Sequence, residues 1–241
     1  SLNCCFKDDA ANSIGLLSLL ENQRGDPDST LIALARLLRN HPDEAARAVL
    51  DLYDKCKEAE HRANTDGMTG LFNKTYMMDQ LGKLRSGERP AYERRKQKGD
   101  YILFIDLDGF KPINDNFGHP AGDCALKTVA NALKNCVRET DAVGRMGGDE
   151  FAIILYGISQ QEAVRKKDHI VKTLETLSFS WQKTQVAVRG SVGIWPFNCE
   201  KSVETNMHCV DKIMYRVKQA KGDTRHHLYV VDTASVPRSA R

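Results

Sequence analysis

Asp106 ends an apolar segment running from Tyr101 to Ile105, and Asp108 follows two residues later. A buried strand placed there delivers carboxylates to the rim of a sheet, where an unpaired charge is expensive. Hydrogen-bonded burial, capping of the next segment, or a hard cation are the reasons for keeping such acids. Further along, Gly147-Gly148-Asp149-Glu150 puts two acids directly after a glycine pair and ahead of the apolar run from Phe151. The glycines admit positive φ and a close ligand approach. If the two segments are neighbours, three carboxylates converge on one point. A pair of Mg²⁺ ions needs such a point, with oxygen ligands at about 2.0–2.1 Å and the remaining positions left to water and phosphate. Taken alone, the same four residues also read as a solvent-facing hairpin turn.

The elements that must position these acids alternate after Thr65. Tyr101 to Ile105 and Phe151 to Leu155 read as buried strands, with Val143 to Met146 as the hairpin partner of the second. Cys124 to Val137, Glu162 to Leu177 and Val203 to Gln219 have helical periodicity, and Gln185 to Ile194 reads as one more strand. The charged stretch between Arg85 and Asp100, with Arg94, Arg95, Lys96 and Lys98, reads as an exposed loop or helix end. Residues 12 to 64 read as helices broken by turn residues at 25–28 and 40–42. In the last of these helices Ala46, Val49, Tyr53, Cys56, Glu60 and Ala63 recur in steps of three and four. That seam suits either a parallel dimer stalk or a helix packed on its own domain.

The motifs resemble those of one family. Gly147-Gly148-Asp149-Glu150-Phe151 is the name motif of the GGDEF domain, the catalytic unit of diguanylate cyclases. Asp66-Gly67-Met68-Thr69-Gly70-Leu71-Phe72-Asn73 is similar to that family's opening motif, with Met68 where leucine is usual. The run Phe104-Ile105-Asp106-Leu107-Asp108-Gly109-Phe110-Lys111, then Asn114-Asp115, Gly118-His119 and Gly122-Asp123, matches its central motif in register. Residues 65 to 231 carry the resemblance.

It implies a palm-like α/β (α+β) nucleotide cyclase fold, a central, mostly antiparallel sheet wrapped by helices. It also implies a reaction, the condensation of two GTP into cyclic di-GMP with release of two pyrophosphates. Asp106, the Leu107 carbonyl, Asp149 and Glu150 would hold two Mg²⁺ per GTP, with Mn²⁺ as an alternative. Asp149 would act as base with Glu150 in support, direct metal activation of the hydroxyl being the other route. Asn114 and Asp123 would read the guanine edge. His119 would brace that loop or touch substrate, and Gly147 and Gly148 would let substrate approach. Lys111 and Lys218 would grip phosphate. Arg138 and Asp141, an R-x-x-D five residues before Gly147, match the family's inhibitory product site. The segment Lys221-Gly222-Asp223-Thr224-Arg225 departs from the family pattern and leaves one phosphate contact in question.

Composition frames these expectations. The chain has 241 residues, 41% hydrophobic and 28% charged, which fits a globular protein with a core and excludes disordered and fibrous classes. Net charge is +3, with 8 Lys/Arg against 11 Asp/Glu in residues 1–64 and 27 against 21 in the rest. Such a surplus suits a polyphosphate ligand and is too small to indicate nucleic acid. The seven cysteines are scattered without a CxxC pair, which predicts free thiols and a cytoplasmic setting. No apolar run reaches a membrane span and no secretory signal is visible, so no membrane segment is expected in this chain. The expected organisation is a helical extension at 1–64, a cyclase domain at 65–231 and a loose tail at 232–241. Catalysis across a homodimer is the leading expectation. A non-catalytic cyclic di-GMP receptor using Arg138 and Asp141 is the rival, and a cyclase making mixed cyclic GMP-AMP is disfavoured by Asp123.

Overall fold

The apolar run from Tyr101 to Ile105 becomes the middle of a sheet. The computed structural model describes residues 42–88 and 99–221. The helices expected before residue 42, the basic residues 94–98 and the tail at 232–241 lie outside the described residues, as do residues 222–225. The chain divides into two units at Ala63/Asn64.

In the first unit, α1 (Pro42–Asn64) is one 23-residue helix, as its spacing predicts. Val49, Leu50, Leu52 and Tyr53 are exposed along it. Its surface carries short-range pairs, Asp51 with Lys55 at 3.1 Å and Lys57 with Glu60 at 3.3 Å. Each contributes only about 0.3–0.5 kcal/mol.

The second unit runs through α2 (Lys74–Arg85), β1 (Gly99–Asp108), α3 (Phe110–Phe117), α4 (His119–Cys136), β2 (Ala142–Gly147) and β3 (Glu150–Ile158). It continues with α5 (Gln160–Thr176), β4 (Ser178–Trp181), β5 (Thr184–Ala187), β6 (Arg189–Pro196) and α6 (Val203–Lys221). The main sheet has the order β2-β3-β1-β6, and every pairing in it is antiparallel. The α+β palm architecture expected from the motifs is therefore present.

Side chains alternate across β1 with period two. Tyr101, Leu103, Ile105 and Leu107 enter one core with α4 and α5, while Ile102 and Phe104 enter a second core with α2 and α6. Helices thus cover both faces, which is why β1 reads as a continuous apolar run although its neighbours are antiparallel. Asp106 and Asp108 follow Phe104 in the second set, so their carboxylates emerge on the face of α2 and α6.

Several boundaries differ from the sequence reading. Helix α4 begins at His119 instead of Cys124, because Gly118 (φ 81°) turns the chain and Pro120 fits the first helical turn. Helices α2 and α3 and strand β4 were not anticipated. The single strand expected at 185–194 is two, β5 and β6. Between them the Val188 N–H leaves the ladder to donate to the Leu177 carbonyl at 3.0 Å. A capping box at Ser159 and Glu162 starts α5. Cys56, Cys124, Cys136, Cys199 and Cys209 are free thiols. Among the described residues no helix is long and apolar enough to cross a membrane.

Candidate active site

The β2–β3 hairpin presents the two glycines at its tip. Gly147 has φ 144° and Gly148 φ 50°, and both are exposed. Left-handed backbone of that kind is strained for residues with a Cβ, so the pair sets the turn. The turn sends Glu150 back into register directly opposite Asp106 on β1. Opposed side chains on antiparallel strands have Cβ atoms about 4.5–5.5 Å apart, and like charges so placed repel. Asp149 joins them through the main chain, its carbonyl accepting from the Leu107 N–H at 3.2 Å. The Leu107 side chain is buried in the first core, so only its main chain faces this point.

Electrostatics register the crowding. Burial first, then the carboxylates of Asp106, Asp149 and Asp211, push the Glu150 carboxyl above its ordinary range, with Lys74 opposing. Among the described residues the one cation shown bonded to the group is Lys218, whose ammonium reaches from the last turn of α6 to Asp106 Oδ1. Burial works to lower its pKa, but Asp106, Asp108 and Asp149 outweigh it and hold the ammonium above its usual value.

Among the described residues no three His, Cys, Asp or Glu side chains are gathered closely enough to hold a metal ion. Asp106, Asp149 and Glu150 form a loose trio, with an ammonium on the member that the motif assigns first to metal. The donor chemistry nevertheless fits a hard divalent ion. The donors are carboxylates and a main-chain carbonyl, and an internal cation already stands on one of them.

The remaining predicted residues occupy two neighbourhoods. Lys111 lies exposed in the first turn of α3, just after β1. Asn114 sits half-buried between α3 and α4 because position 122 is glycine. A Cβ there would come within 2.0 Å of Asn114 Oδ1. Asp123 is half-buried one residue further along α4, and His119 is exposed at the start of that helix.

Arg138 and Asp141 form a turn beyond α4. Arg138 is exposed, whereas Asp141 is 8% exposed. Asp141 Oδ2 accepts from the Arg138 N–H at 3.0 Å, and Oδ1 accepts from the Tyr156 N–H at 3.3 Å. Burial raises its pKa while those two N–H groups pull it back. Asp141 therefore braces the turn, which narrows what it has left to offer a ligand, and Arg138 is the outward-facing member. Lys166 of α5 donates to the Cys136 carbonyl at 2.8 Å and fixes the end of α4 just before this turn.

Sequence reasoning missed Arg145. Its Nε and Nη2 donate to the Gly148 carbonyl at 2.9 and 2.7 Å, and Nη1 reaches both oxygens of Asp66 at 3.3 Å. The available signal was a lone arginine in the otherwise apolar strand two residues before the glycine pair. Also missed was a groove of about 430 Å³ beside Glu150, bounded by Lys74 and Met78 on α2 and by Met207 and Asp211 on α6.

Residues 63–224 match the family described as diguanylate cyclase, GGDEF domain. Diguanylate cyclase TpbB of Pseudomonas aeruginosa is 35% identical over 178 residues, covering 72% of this chain and 40% of that protein. Probable diguanylate cyclase DgcC of Escherichia coli is 34% identical over 173 residues, or 68% of this chain and 44% of that one. The chain thus spans less than half the length of these curated relatives. Among solved structures, the coiled coil and GGDEF domain of DgcB from Caulobacter crescentus, in complex with c-di-GMP, superposes with a TM-score of 0.65 at 22% identity. It covers 76% of this chain and 95% of that chain. Likeness at that identity speaks to the fold.

Proposed function

The chain belongs to the diguanylate cyclase GGDEF family, and from that premise we propose that it condenses two GTP into bis-(3′,5′)-cyclic dimeric GMP. The 3′-oxygen of each GTP forms a bond to the α-phosphorus of the other, and pyrophosphate leaves each time. The observation that carries this reading is the opposition of Asp106 and Glu150 across β1 and β3, with Asp149 tied to Leu107 by the intervening turn.

Each part of the site has a task in that reaction. Asp106, the Leu107 carbonyl, Asp149 and Glu150 would hold two Mg²⁺, or Mn²⁺, per GTP. Bound divalent metal neutralises triphosphate charge and lowers the pKa of the attacking hydroxyl. Asp149 accepts the 3′-hydroxyl proton, with Glu150 in support. Asp123 accepts from the guanine ring and exocyclic N–H groups, and Asn114 bonds the same edge, so adenine is disfavoured. His119 braces this loop at the mouth of the site. Lys111 and Lys218 bind phosphate oxygens and offset charge on the departing pyrophosphate. The exposed glycines leave room for ribose and phosphate.

One domain presents one GTP, so two domains must face each other for each hydroxyl to meet the other's phosphate in line. The exposed apolar seam of α1 supports a homodimer, since helices in proteins draw most of their stability from packing such a face. Arg138 supplies the outward cation for a cyclic dinucleotide that inhibits as product, with Asp141 holding its turn.

A second reading, a cyclic di-GMP receptor without turnover, draws on the Lys218–Asp106 ion pair, which is what an idle half-site would contain. Incubation with Mg²⁺ and GTP, or GTP plus ATP, followed by mass identification of products, separates them. Cyclic di-GMP alone supports the cyclase. A mixed dinucleotide assigns a different specificity, and binding without product assigns the receptor.

A further inference from the structure

We propose that Lys218 is a counterion latch on Asp106, which keeps a free divalent cation off the acid trio and releases it only to a cation arriving with a triphosphate. The inference rests on the cyclase reading of these acids.

The Lys218 ammonium is bonded to Asp106 Oδ1, and the charges of Asp108 and Asp149 also act on it. An ammonium and a divalent cation cannot share one carboxylate oxygen, because two positive charges in contact repel strongly. The pair is built unevenly. The Asp106 side chain is 14% exposed and the Lys218 side chain 41%. The ammonium can therefore swing into water on its flexible stem while the carboxylate stays where β1 holds it.

The helix carrying Lys218 is in no position to follow. At Gly193 on β6 the backbone of α6 lies so close that a Cβ would meet Met214 N at 2.7 Å and the Val210 carbonyl oxygen at 2.8 Å. In the turn just before Lys218, Met214 is buried in the second core and Val217 is also buried. Release is thus a side-chain event.

Its consequence is a linkage between two ligands. A cation arriving alone must displace an ammonium that gains no new anion. A cation arriving with GTP displaces the same ammonium toward phosphate oxygens, so the loss on Asp106 is offset there. Lys218 accordingly couples the two binding events, and reciprocity makes the coupling equal in both directions. The bare site holds Asp106 neutralised by Lys218 and so favours the cation–nucleotide complex over free cation.

Mn²⁺ is the probe. Its free concentration is followed by electron paramagnetic resonance with the full chain, with and without 3′-deoxy-GTP, which lacks the attacking hydroxyl. Lys218→Met should bind Mn²⁺ alone about tenfold more tightly than the parent, and the tightening caused by 3′-deoxy-GTP should shrink by about tenfold. Lys218→Arg, which keeps the cation, should restore parental Mn²⁺ affinity. Lys212→Met, which removes an exposed cation elsewhere on α6, should leave Mn²⁺ affinity without nucleotide unchanged. A Lys218→Met protein that binds Mn²⁺ no more tightly than the parent, or not at all, overturns the latch. The two readings fail separately. Product formation from GTP with unaltered Mn²⁺ affinity removes the latch alone, whereas tightened Mn²⁺ binding without product removes the cyclase assignment and leaves the latch standing.

Discussion

Asp66 and Arg145 stand 79 residues apart in the chain and form one ion pair, Nη1 lying 3.3 Å from both carboxylate oxygens. The other two guanidinium nitrogens hold the Gly148 carbonyl. One side chain therefore ties the turn that opens the domain to the turn that carries Asp149. Arg145 is 12% exposed and Asp66 24% in their side chains, so solvent screens the pair only in part.

Removing this arginine should cost more than a surface contact. Arg145→Ala leaves Asp66 to the Thr69 donors alone and the Gly148 carbonyl to water, an expected loss of about 1–2 kcal/mol in urea unfolding. Freed from its clasp, Asp149 should wander, and turnover should fall about 10- to 100-fold. Arg145→Lys replaces a fork by a point charge and should recover only part of either loss. Turnover equal to the parent would show that the clasp does not position the turn.

The same pair predicts a pH dependence. Burial alone would raise the Asp66 carboxyl, but the Thr69 hydroxyl and N–H, at 2.7 and 2.9 Å, and Arg145 outweigh it and hold it below the ordinary range. A depressed folded-state pKa contributes stability that is present above the unfolded value and is lost as pH falls through the folded one. The unfolding free energies of the parent and Asp66→Asn should therefore differ most near neutral pH and converge below about pH 4. A gap that stays constant across that window would contradict the assignment.

Gly122 is tested by adding one methyl group. In Gly122→Ala the new Cβ would meet Asn114 Oδ1 at 2.0 Å and the Phe110 ring at 3.2 Å. Asn114 must leave its seat, so KM for GTP should rise about tenfold while kcat changes less. An unchanged KM would remove Asn114 from substrate recognition.

The chemistry was legible in the sequence because it is local. Asp106, the glycine pair and the acids after it lie in short contiguous motifs, and the strands carrying them are apolar enough to announce themselves. Helix α2 was legible in principle. Met77, Leu81 and Leu84 recur on its buried face, and Asn73 caps it by accepting from the Tyr76 N–H at 2.9 Å. Its weakly amphipathic sequence and its place inside a motif read for other reasons concealed it. Helix α3 is eight residues long with Pro112 in its first turn, too short to show periodicity. The Asp66–Arg145 and Asp106–Lys218 pairs join distant segments, and no local pattern encodes such partners. The family resemblance makes Asp141 a ligand acceptor, whereas its burial, a tertiary fact, turns it toward Arg138 and Tyr156.

That difference separates the two members of the product site. Arg138→Ala should relieve inhibition and weaken cyclic di-GMP binding in a calorimetric titration while leaving thermal stability unchanged, because the side chain is exposed. Asp141→Ala removes the buried acceptor of the Arg138 and Tyr156 N–H groups and should destabilise the fold by about 1–3 kcal/mol. If Asp141→Ala were as stable as the parent, its brace on the turn would be refuted.

The decisive measurement is dinucleotide formation from GTP and Mg²⁺ by the parent and by Asp106→Asn, Asp149→Asn and Glu150→Gln, each shown by circular dichroism to remain folded. The cyclase reading of Asp106, Asp149 and Glu150 predicts cyclic di-GMP from the parent and at least about a hundredfold less from every variant. A folded parent that binds GTP without forming product, or an acid variant that turns over at the parental rate, would contradict it.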